Sequence, residues 1–316
     1  MNLDRAVKEA FDKKNPKRFP TFKKKWISTD SFRYPQGFKI EGNRIFLPKI
    51  GWIGFRKSRQ IFGTPKNVTV SRRGSNWFVS IQTEMEVAEP VHPPVSIVGG
   101  DLGVKRTMTL SDGTFYEPLN AFRNMETKLR KEQQKLSRKT KGSKNWYKQK
   151  SKITRLHIKI ADMRNDFLHK LSTDISKNHA AVVLEDLKVK NMTASAKGTK
   201  EEPGRHVRQK AGLNKAILDQ GWGNFSIYLE YKLNRRGGMV IYVNPAYTSQ
   251  TCSSCGHIHP GNRKTQSEFL CQVCGLTLNA DLNAALNILR AGHAQLACQA
   301  TGAAMPAATG TSRMAA

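Results

Sequence analysis

Two pairs of closely spaced cysteines constrain the fold of this sequence more than any other feature. The pairs are Cys252-x2-Cys255 and Cys271-x2-Cys274, with fifteen residues between them. In structural zinc sites, two such short loops each turn a pair of thiolates toward one ion. Four thiolates complete a tetrahedron and leave no open position for water, so we predict a structural zinc site. His257 and His259 lie between the pairs and are expected to face solvent or phosphate.

The charge of the chain indicates its class of partner. Lys and Arg number 53 against 24 Asp and Glu in 316 residues, which gives a net charge of +29. A protein this basic usually binds a polyanion, and nucleic acid is the commonest one. No amphipathic anchor, lipidation motif or apolar run of about 18 residues points to a membrane. The N-terminal sequence also lacks the apolar core of a signal peptide, so we predict a cytoplasmic protein.

A change of pattern near residue 31 divides the N-terminal part of the chain. Residues 1–30 are expected to form the end of a basic helix, followed by a loop. Residues 31–94 alternate like β-strands, with hairpin turns predicted at Gly42-Asn43 and at Gly74-Ser75. A proline-rich segment, EPVHPPVS, closes this region and is predicted to be a hinge. The pattern therefore predicts a small, basic, antiparallel β-barrel.

Residues 95–250 show the succession of strands and helices that is typical of an α/β domain. One apolar strand is predicted to end at Asp101 and another at Glu185, with a long helical region between them, at about residues 119–178. A break at TKGSKN predicts two antiparallel helices. Between Arg123 and Lys170 there are 16 Lys and Arg but only four acids, so this hairpin is expected to have a cationic outer face.

Three acids stand at the ends of separate predicted elements: Asp101, Glu185 and Asp281. Such carboxylates could converge on two divalent ions, which activate water and stabilise the leaving oxygen in phosphodiester hydrolysis. Mg²⁺ suits a site of this kind. The spacing leaves other roles open, because Asp281 could be a helix N-cap and Asp101 could serve a turn before Gly103. Glu185 is harder to explain otherwise, since an acid that ends an apolar strand must be solvated, paired or metal-bound.

Several longer motifs occur in the order that is typical of one family. They are GGDLGVKRTMTLSDG, DFLHKLSTDI, VVLEDLKVKNM, GWGNFSIYLEYKLNRRGG, YTSQTCSSCGH and CQVCGLTLNADLNAALNIL. Together they closely resemble TnpB, the OrfB-type protein of insertion sequences and a relative of type V CRISPR effectors. The resemblance extends from Thr21 to Arg290, and SFRYPQGFKIEGNRIFLPKIGWIGF resembles the wedge domain of that family.

The resemblance implies an α/β fold: an RNase H-like, RuvC-type nuclease domain with an inserted zinc ribbon, preceded by a small β-barrel wedge domain. It implies Mg²⁺ or Mn²⁺ as the catalytic ion and Zn²⁺ as the structural ion. The implied partners are a guide RNA from the transposon end and double-stranded target DNA, in a prokaryotic cytoplasm at the nucleoid. Matched motif by motif, Asp101, Glu185 and Asp281 fall on the catalytic, metal-binding carboxylates of the family, and the four paired cysteines fall on its zinc ribbon.

The resemblance also implies a division of the chain. The predicted parts are a remnant of a helical recognition region (1–30), the wedge-like barrel (31–94), the RuvC-like domain with its helical hairpin (95–250), the zinc ribbon (251–276), the last RuvC helix (277–292) and a disordered tail (293–316). Since only the end of a recognition region is expected, the chain is predicted to be short at its N-terminus. Many members also have arginine before the last aspartate, where this chain has Ala280, so a positive group beside Asp281 is predicted to be missing.

Three functions remain open at this point. The resemblance favours an RNA-guided DNA endonuclease that hydrolyses phosphodiester bonds by a two-metal mechanism. A nuclease-impaired regulator of transposition, which binds DNA or RNA without cutting, is the alternative that a short N-terminus favours. A strand-transfer transposase on the same fold is the third, because the two-metal chemistry differs only in the attacking oxygen.

Overall fold

The computed structural model describes residues 2–12, 19–20 and 30–301. The chain divides into two compact units, Met1–Val87 and Ala88–Ala316. Most of the loop predicted within the first thirty residues lies outside the described residues. Within the described part of the chain, no helix is long and apolar enough to cross a membrane.

Among its described residues, the first unit contains one helix and two antiparallel sheets. Its elements are α1 (Asn2–Ala10), β1 (Ser31–Tyr34), β2 (Lys39–Glu41), β3 (Arg44–Leu47), β4 (Gly51–Gly54), β5 (Thr64–Arg73) and β6 (Asn76–Glu84). The sheets have the orders β1-β5-β6 and β2-β3-β4. Both predicted hairpins are confirmed, since Glu41 pairs with Arg44 around the first turn and Arg73 with Asn76 around the second.

The two sheets of the first unit share one apolar core. Ile45 and Leu47 of β3 pack with Val68 and Val70 of β5, and all four side chains are buried. Successive side chains of a strand point to opposite faces of the sheet. The residue between the two buried side chains of each strand therefore points away from this core. This alternation explains how short, basic strands still enclose a core.

The second unit is a mixed α/β domain built on a five-stranded sheet. Its strands are β7 (Ile97–Asp101), β8 (Met108–Leu110), β9 (Phe115–Tyr116), β10 (Ala181–Glu185), β11 (Met239–Val243), β12 (Glu268–Leu270) and β13 (Thr277–Asn279). Its helices are α2 (Ala121–Ser137), α3 (Lys144–Asn178), α4 (Val189–Met192), α5 (Val207–Gln220), α6 (Trp222–Asn234) and α7 (Ala280–Thr301). The central sheet has the order β11-β10-β7-β8-β9, and β12 and β13 form a separate hairpin. The predicted α/β class and the predicted helical hairpin, α2 and α3, are confirmed.

Helices pack on both faces of the central sheet. On one face, Leu171 of α3 and Phe225 of α6 belong to the same buried cluster as Leu184 of β10. On the other face, Ile288 of α7 packs with Val183 of β10. Strands β7, β10 and β11 run parallel, and β8 and β9 continue the sheet in antiparallel pairs. The carboxyl ends of the three parallel strands therefore meet at one edge, between the two helical layers.

Gly99, two residues before Asp101, allows α7 to lie close to β7. Gly100 leaves room for Met108 of β8. A Cβ atom on Gly99 would be 2.3 Å from the backbone oxygen of Ala285, and one on Gly100 would be 2.2 Å from Cε of Met108. The methionine side chain can move, but the backbone of α7 cannot move without shifting the whole helix. The sequence GGD is therefore a packing requirement as well as the end of a strand.

We expect Gly99→Ala to destabilise the protein, because its methyl group would overlap the backbone of α7. Overpacking of this kind costs about 2–3 kcal/mol, which lowers Tm by about 5 °C or more in a chain of this size. Thermal unfolding followed by circular dichroism measures the shift. Gly212→Ala in α5 is the matched control, since a Cβ there meets no atom within 4 Å. Equal Tm values for Gly99→Ala and the unaltered protein would contradict this packing argument.

Helix α7 is longer than predicted. It extends to Thr301, whereas the last helix was predicted to end at residue 292. The prediction of a disordered tail was therefore wrong for residues 293–301, and the remainder of that tail lies outside the described residues. The Ala-rich composition that suggested disorder also has the highest helix propensity, and Leu296 packs against the sheet core.

Candidate active site

The four predicted zinc ligands form one compact cluster. Their Sγ atoms all lie within 4.8 Å of one another, and all four are free thiols. The Sγ atoms of Cys252 and Cys274 are 3.6 Å apart, as are those of Cys255 and Cys271. Thiolates bound to one tetrahedral zinc ion lie about 3.8 Å apart, so the cluster fits this ion. Among the described residues, no other group of three His, Cys, Asp or Glu side chains is gathered so tightly.

Backbone amides prepare this cluster for metal. The amide of Cys274 donates to Sγ of Cys271 at 3.5 Å, and this contact is the main cause that lowers the pKa of the Cys271 thiol to about 6. The thiolate, not the thiol, is the form that binds metal. The fold of the second cysteine pair thus favours the metal-binding form of Cys271 at neutral pH. The backbone amide of Leu276 acts to lower the pKa of Cys274 as well, but hydrogen bonds with the neighbouring thiols outweigh it, so the pKa of that thiol is raised instead.

The cysteine cluster packs directly against the start of α7. Cys252, Cys271 and Phe269 form a small buried core with Ala280, the first residue of that helix. Strand β13 ends at Asn279, so the hairpin of the ribbon leads into the helix without an intervening loop. Whatever orders the ribbon therefore also orders the first turn of α7.

The three predicted carboxylates come from elements that meet at one edge of the central sheet. Asp101 ends β7 and Glu185 ends β10, and these parallel neighbours are in register up to Gly100 and Leu184. Paired residues of neighbouring strands lie about 4.8 Å apart. Asp281 lies in the first turn of α7, the helix that covers one face of this sheet.

Helix α7 covers the face to which Asp101 points. Gly99 is two residues before Asp101, so both face the same way, and Gly99 contacts α7 at Ala285. Asp101 lies two residues beyond this contact along β7, which is a distance of about 6.6 Å. Asp281 lies four residues before Ala285 along α7, which is a distance of about 6 Å. The two carboxylates therefore lie at the same level of the fold.

The electrostatics of Asp101 agree with this arrangement. Burial, followed by the negative charges of Glu185 and Asp281, raises the pKa of Asp101 to about 7, and Arg263 opposes the rise. Burial also raises the pKa of Glu185, although its hydrogen bond from Thr248 acts in the opposite direction. A carboxyl group whose pKa is raised by burial and by neighbouring negative charges is stabilised in its ionised form by a cation placed beside it.

Thr248 holds Glu185 in place. Its Oγ1 donates a hydrogen bond to Oε1 of Glu185 at 2.5 Å, and the threonine is buried. The backbone oxygen of Thr248 accepts a hydrogen bond from Nδ2 of Asn287 in α7, at 3.0 Å. The segment that enters the ribbon therefore connects Glu185 with the helix that carries Asp281.

Asn279, and not Asp281, caps α7. Oδ1 of Asn279 accepts hydrogen bonds from the backbone amides of Asp281 at 3.1 Å and of Leu282 at 3.2 Å. The alternative in which Asp281 serves as the N-cap is therefore wrong. Its carboxylate is not needed to begin the helix.

An arginine of the ribbon supplies the positive group that was predicted to be missing. Nη2 of Arg263 lies 3.5 Å from Oδ1 of Asp281 and donates to the backbone oxygen of Gln266 at 3.2 Å. The expected absence of a cation beside Asp281, inferred from Ala280, was wrong. No local pattern predicts this role for Arg263, because the residue reaches the site from a loop between the two cysteine pairs.

A second buried asparagine fixes the ribbon to α7. Oδ1 of Asn283 accepts from the amide of Ser253 at 3.0 Å, and its Nδ2 donates to the backbone oxygen of Thr251 at 2.8 Å. Asn283 has no exposed surface. The first cysteine pair is thus held to the same helix as Asp281 by hydrogen bonds as well as by packing.

Two family profiles match parts of this chain. The OrfB_IS605 profile, described as a probable transposase, matches residues 80–196. The profile of the Cas12f1-like TNB domain matches residues 222–288, which include the cysteine cluster.

Similar proteins cover most of the chain. The "Putative RNA-guided DNA endonuclease InsQ" of Escherichia coli K12 is 57% identical over 299 residues, which are 94% of this chain and 74% of that protein. A protein of Streptomyces pristinaespiralis, described in the same terms, is 33% identical over 303 residues, with 94% of this chain and 71% of that protein covered. A solved Cas12f1–sgRNA–target DNA complex matches 71% of this chain and 45% of its own at 23% identity, with a TM-score of 0.47.

The similarity to the two bacterial proteins includes both the sheet edge with the carboxylates and the ribbon with the cysteines, since it covers 94% of the chain in each case. A shared ribbon alone would not produce a match of this length. The family resemblance inferred from the motifs is confirmed, and the chain belongs to the TnpB/OrfB family of insertion-sequence transposases.

Proposed function

We propose that this protein is an RNA-guided endonuclease that hydrolyses phosphodiester bonds of double-stranded DNA. The observation that carries the proposal is the raised pKa of Asp101, which is caused by burial and then by the charges of Glu185 and Asp281, two acids that are far away in the sequence. The 57% identity to a protein whose name states this activity supports it. The net charge of +29 suits a nucleic-acid substrate.

Asp101, Glu185 and Asp281 are the residues that would hold Mg²⁺ or Mn²⁺. When bound, such ions activate a water molecule and stabilise the charge of the leaving oxygen. Thr248 orients Glu185 for this role through its hydrogen bond. The guanidinium of Arg263 partly balances the negative charge of the three acids. It would remain beside Asp281 when the substrate phosphate enters.

We assign the second unit to an RNase H-like, RuvC-type nuclease fold, with the zinc ribbon inserted before the last helix. The position of two acids at the carboxyl ends of neighbouring parallel strands supports this assignment, because ligands of α/β sheets bind at that edge. We assign residues 31–94 to a wedge-type β-barrel, which the shared core of two small sheets supports. Residues 1–30 would be the end of a recognition region.

Guide RNA and target DNA are the proposed partners. The hairpin of α2 and α3 carries most of the 16 Lys and Arg found between Arg123 and Lys170, against four acids. Such a surface would contact phosphates of the guide–target duplex. Enzymes of this type bind that duplex through its sugar-phosphate backbone and not through its bases. Binding should therefore weaken steeply as the salt concentration rises.

The proposal is tested by cleavage of a matching DNA duplex in Mg²⁺, with protein that carries the RNA transcribed from its own element. The unaltered protein should cut, and Glu185→Gln should not. Asp186→Asn is the matched control, since Asp186 is the exposed neighbour of Glu185 and pairs only with Lys188 among the described cations. Cutting by Glu185→Gln would overturn the proposal, as would tight binding of matching DNA without any cutting. Joined transposon ends among the products would assign strand transfer instead.

Arg263→Gln is expected to shift the acidic limb of the pH–rate profile to higher pH. Arg263 lowers the pKa of Asp101, so its removal raises that pKa further and protonates Asp101 over a wider pH range. Activity at pH 7 should fall several-fold and recover at higher pH, and Arg263→Lys should restore part of the shift. If the acidic limb of the pH–rate profile and the zinc content are both the same in Arg263→Gln as in the unaltered protein, then Arg263 does not act on the carboxylates.

A further inference from the structure

A cavity lies beside the loop that follows Asp101 and is used by no part of the proposed mechanism. Its volume is about 390 Å³, and its walls come from that loop, the start of α2 and one face of α5. The lining residues on which the argument depends are Lys105, Phe122, Arg123, Gly212, Lys215 and Asp219. This volume falls in the range of sites for small molecules and single nucleotides.

The backbone amides at the start of α2, which borders this cavity, already have a hydrogen-bond acceptor. Asp219 is buried and accepts hydrogen bonds from the backbone amides of Phe122 and Arg123, at 2.9 and 3.2 Å. Arg164 lies 3.6 Å from the same carboxylate. The amides at the start of α2 are therefore not available to an anion, and any ligand must be bound by the side chains of the cavity walls.

The side chains of the walls combine an aromatic ring with cations. Lys215 lies 5.8 Å from the centre of the Phe122 ring and pairs with Glu126. Lys105 and Arg123 are exposed, and among the described residues neither side chain forms an ion pair. Glu126 also lines the cavity and pairs with Lys215, which leaves Lys105 and Arg123 as the cations that can reach a ligand. An aromatic ring in a cavity with such exposed cations is the arrangement that binds single-stranded nucleic acid, with the base on the ring and phosphates on the cations.

Gly212 keeps the cavity open. It lies in the interior of α5, where glycine costs about 1 kcal/mol relative to alanine. A Cβ atom on Gly212 would meet no atom within 4 Å, so packing against the protein does not require a glycine there. The glycine instead leaves space on the wall that faces Phe122 and Arg123.

The cavity is close to the carboxylates. Lys105 is four residues after Asp101, and four residues span at most about 14 Å. Phosphates of one strand in duplex DNA are spaced about 3.4 Å along the axis, and an unpaired strand is more extended, so this distance corresponds to fewer than about four nucleotides. A strand whose phosphate lies at the three acids can therefore place a neighbouring nucleotide in the cavity.

We propose that this cavity binds one unpaired nucleotide of the DNA strand that enters the active site. The base stacks on Phe122, and Lys105 and Arg123 bind the adjacent phosphates. The inference rests on the proposed function only for the identity of the strand. It adds a subsite that holds the strand next to the bond to be cut, and it explains why a glycine interrupts a helix at this wall.

Binding without cleavage tests this subsite. The dissociation constants for a short oligothymidine and for an abasic oligonucleotide of equal length are measured in EDTA by fluorescence anisotropy. Gly212→Phe fills the cavity, and Phe122→Leu removes the ring but keeps an apolar side chain at its place. Gly223→Phe is the matched control, because Gly223 is also exposed in a helix and its Cβ would also meet no atom within 4 Å.

The preference for oligothymidine over the abasic strand should fall about tenfold in Gly212→Phe and in Phe122→Leu, since one stacked base contributes about 1–3 kcal/mol. Affinity for the abasic strand should change little, and Gly223→Phe should keep the full preference. An unchanged preference in both cavity variants would overturn the inference, as would an equal loss in Gly223→Phe. A loss seen with oligouridine but not with oligothymidine would assign the cavity to RNA and overturn it for DNA. A protein that binds in this way but does not cut would contradict the proposed function and leave the subsite standing.

Discussion

Asp101→Asn is expected to abolish DNA cleavage and also to make the metal-free protein more stable at neutral pH. Cleavage should fall at least about a thousandfold, because loss of one member of a catalytic group disables the whole group. Asparagine has nearly the same shape as aspartate but no charge to offer a divalent ion. Both effects follow from the buried carboxylate of Asp101, whose ionised form is disfavoured first by burial and then by the charges of Glu185 and Asp281.

The stability change follows from the pKa of Asp101, which folding raises from 3.8 to about 7. Between these values the folded protein binds more protons than the unfolded chain, so stability decreases as pH rises through this window. Above pH 7 the penalty is fully present, and Asp101→Asn removes it. Allowing for screening by solvent, the gain is on the order of 2 kcal/mol, or about 4 °C in Tm.

Thermal unfolding in EDTA at pH 5 and at pH 8 measures this effect. The advantage of Asp101→Asn over the unaltered protein should be larger at pH 8 than at pH 5. Asp186→Asn is the matched control, because Asp186 is exposed and its ion pair among the described residues is with Lys188, so no histidine is involved. A variant that is less stable than the unaltered protein at pH 8 would show that Asp101 is not repelled by its neighbours.

Cys271→Ser is expected to remove zinc and to abolish cleavage while the central sheet stays folded. The buried apolar core of the ribbon is small, since it consists of Cys252, Phe269, Cys271 and Ala280, with Leu276 packed against it. So small a core does not fold without its metal, and in such domains the metal-binding energy is the folding energy. Loss of zinc should therefore release Arg263 and the Asn279 cap, and with them the position of Asp281.

Zinc content by elemental analysis and amide hydrogen exchange together measure this effect. Zinc should fall from one ion per chain to nearly none, and exchange should accelerate across residues 252–282 but remain slow in β7 and β10. Cys298→Ser is the control, since Cys298 lies outside the cluster and should leave zinc content and cleavage unchanged. Full cleavage by Cys271→Ser without zinc would refute the structural coupling between the ribbon and Asp281.

The features that could be predicted from the sequence are those that leave a local pattern. The spacing of the cysteines predicts their cluster because two short loops and four thiolates leave few other geometries. The ends of β7 and β10 are predictable because an apolar run stops at an acid in both cases. Patterns of this kind also sufficed for the hairpins and the α/β class.

The features that could not be predicted arise from contacts between distant segments. Arg263 reaches the carboxylates from outside every motif. Thr248 lies in the motif YTSQTCSSCGH, but nothing in that motif predicts its hydrogen bond to Glu185, because both contacts depend on the path of the chain around the ribbon. Asn279 and Asp281 are both good capping residues, and only the geometry of β13 decides between them. The end of α7 was misjudged because composition does not distinguish a disordered Ala-rich tail from an Ala-rich helix that packs against a sheet.

The central claim is that Asp101, Glu185 and Asp281 bind divalent cations together. Anomalous diffraction from crystals soaked in Mn²⁺ tests it most directly, because manganese can be located without reference to the protein atoms. The account predicts manganese at the carboxyl ends of β7 and β10, in contact with Asp101 and with at least one of the other two acids. Manganese bound elsewhere on the protein, with these three carboxylates empty, would contradict it.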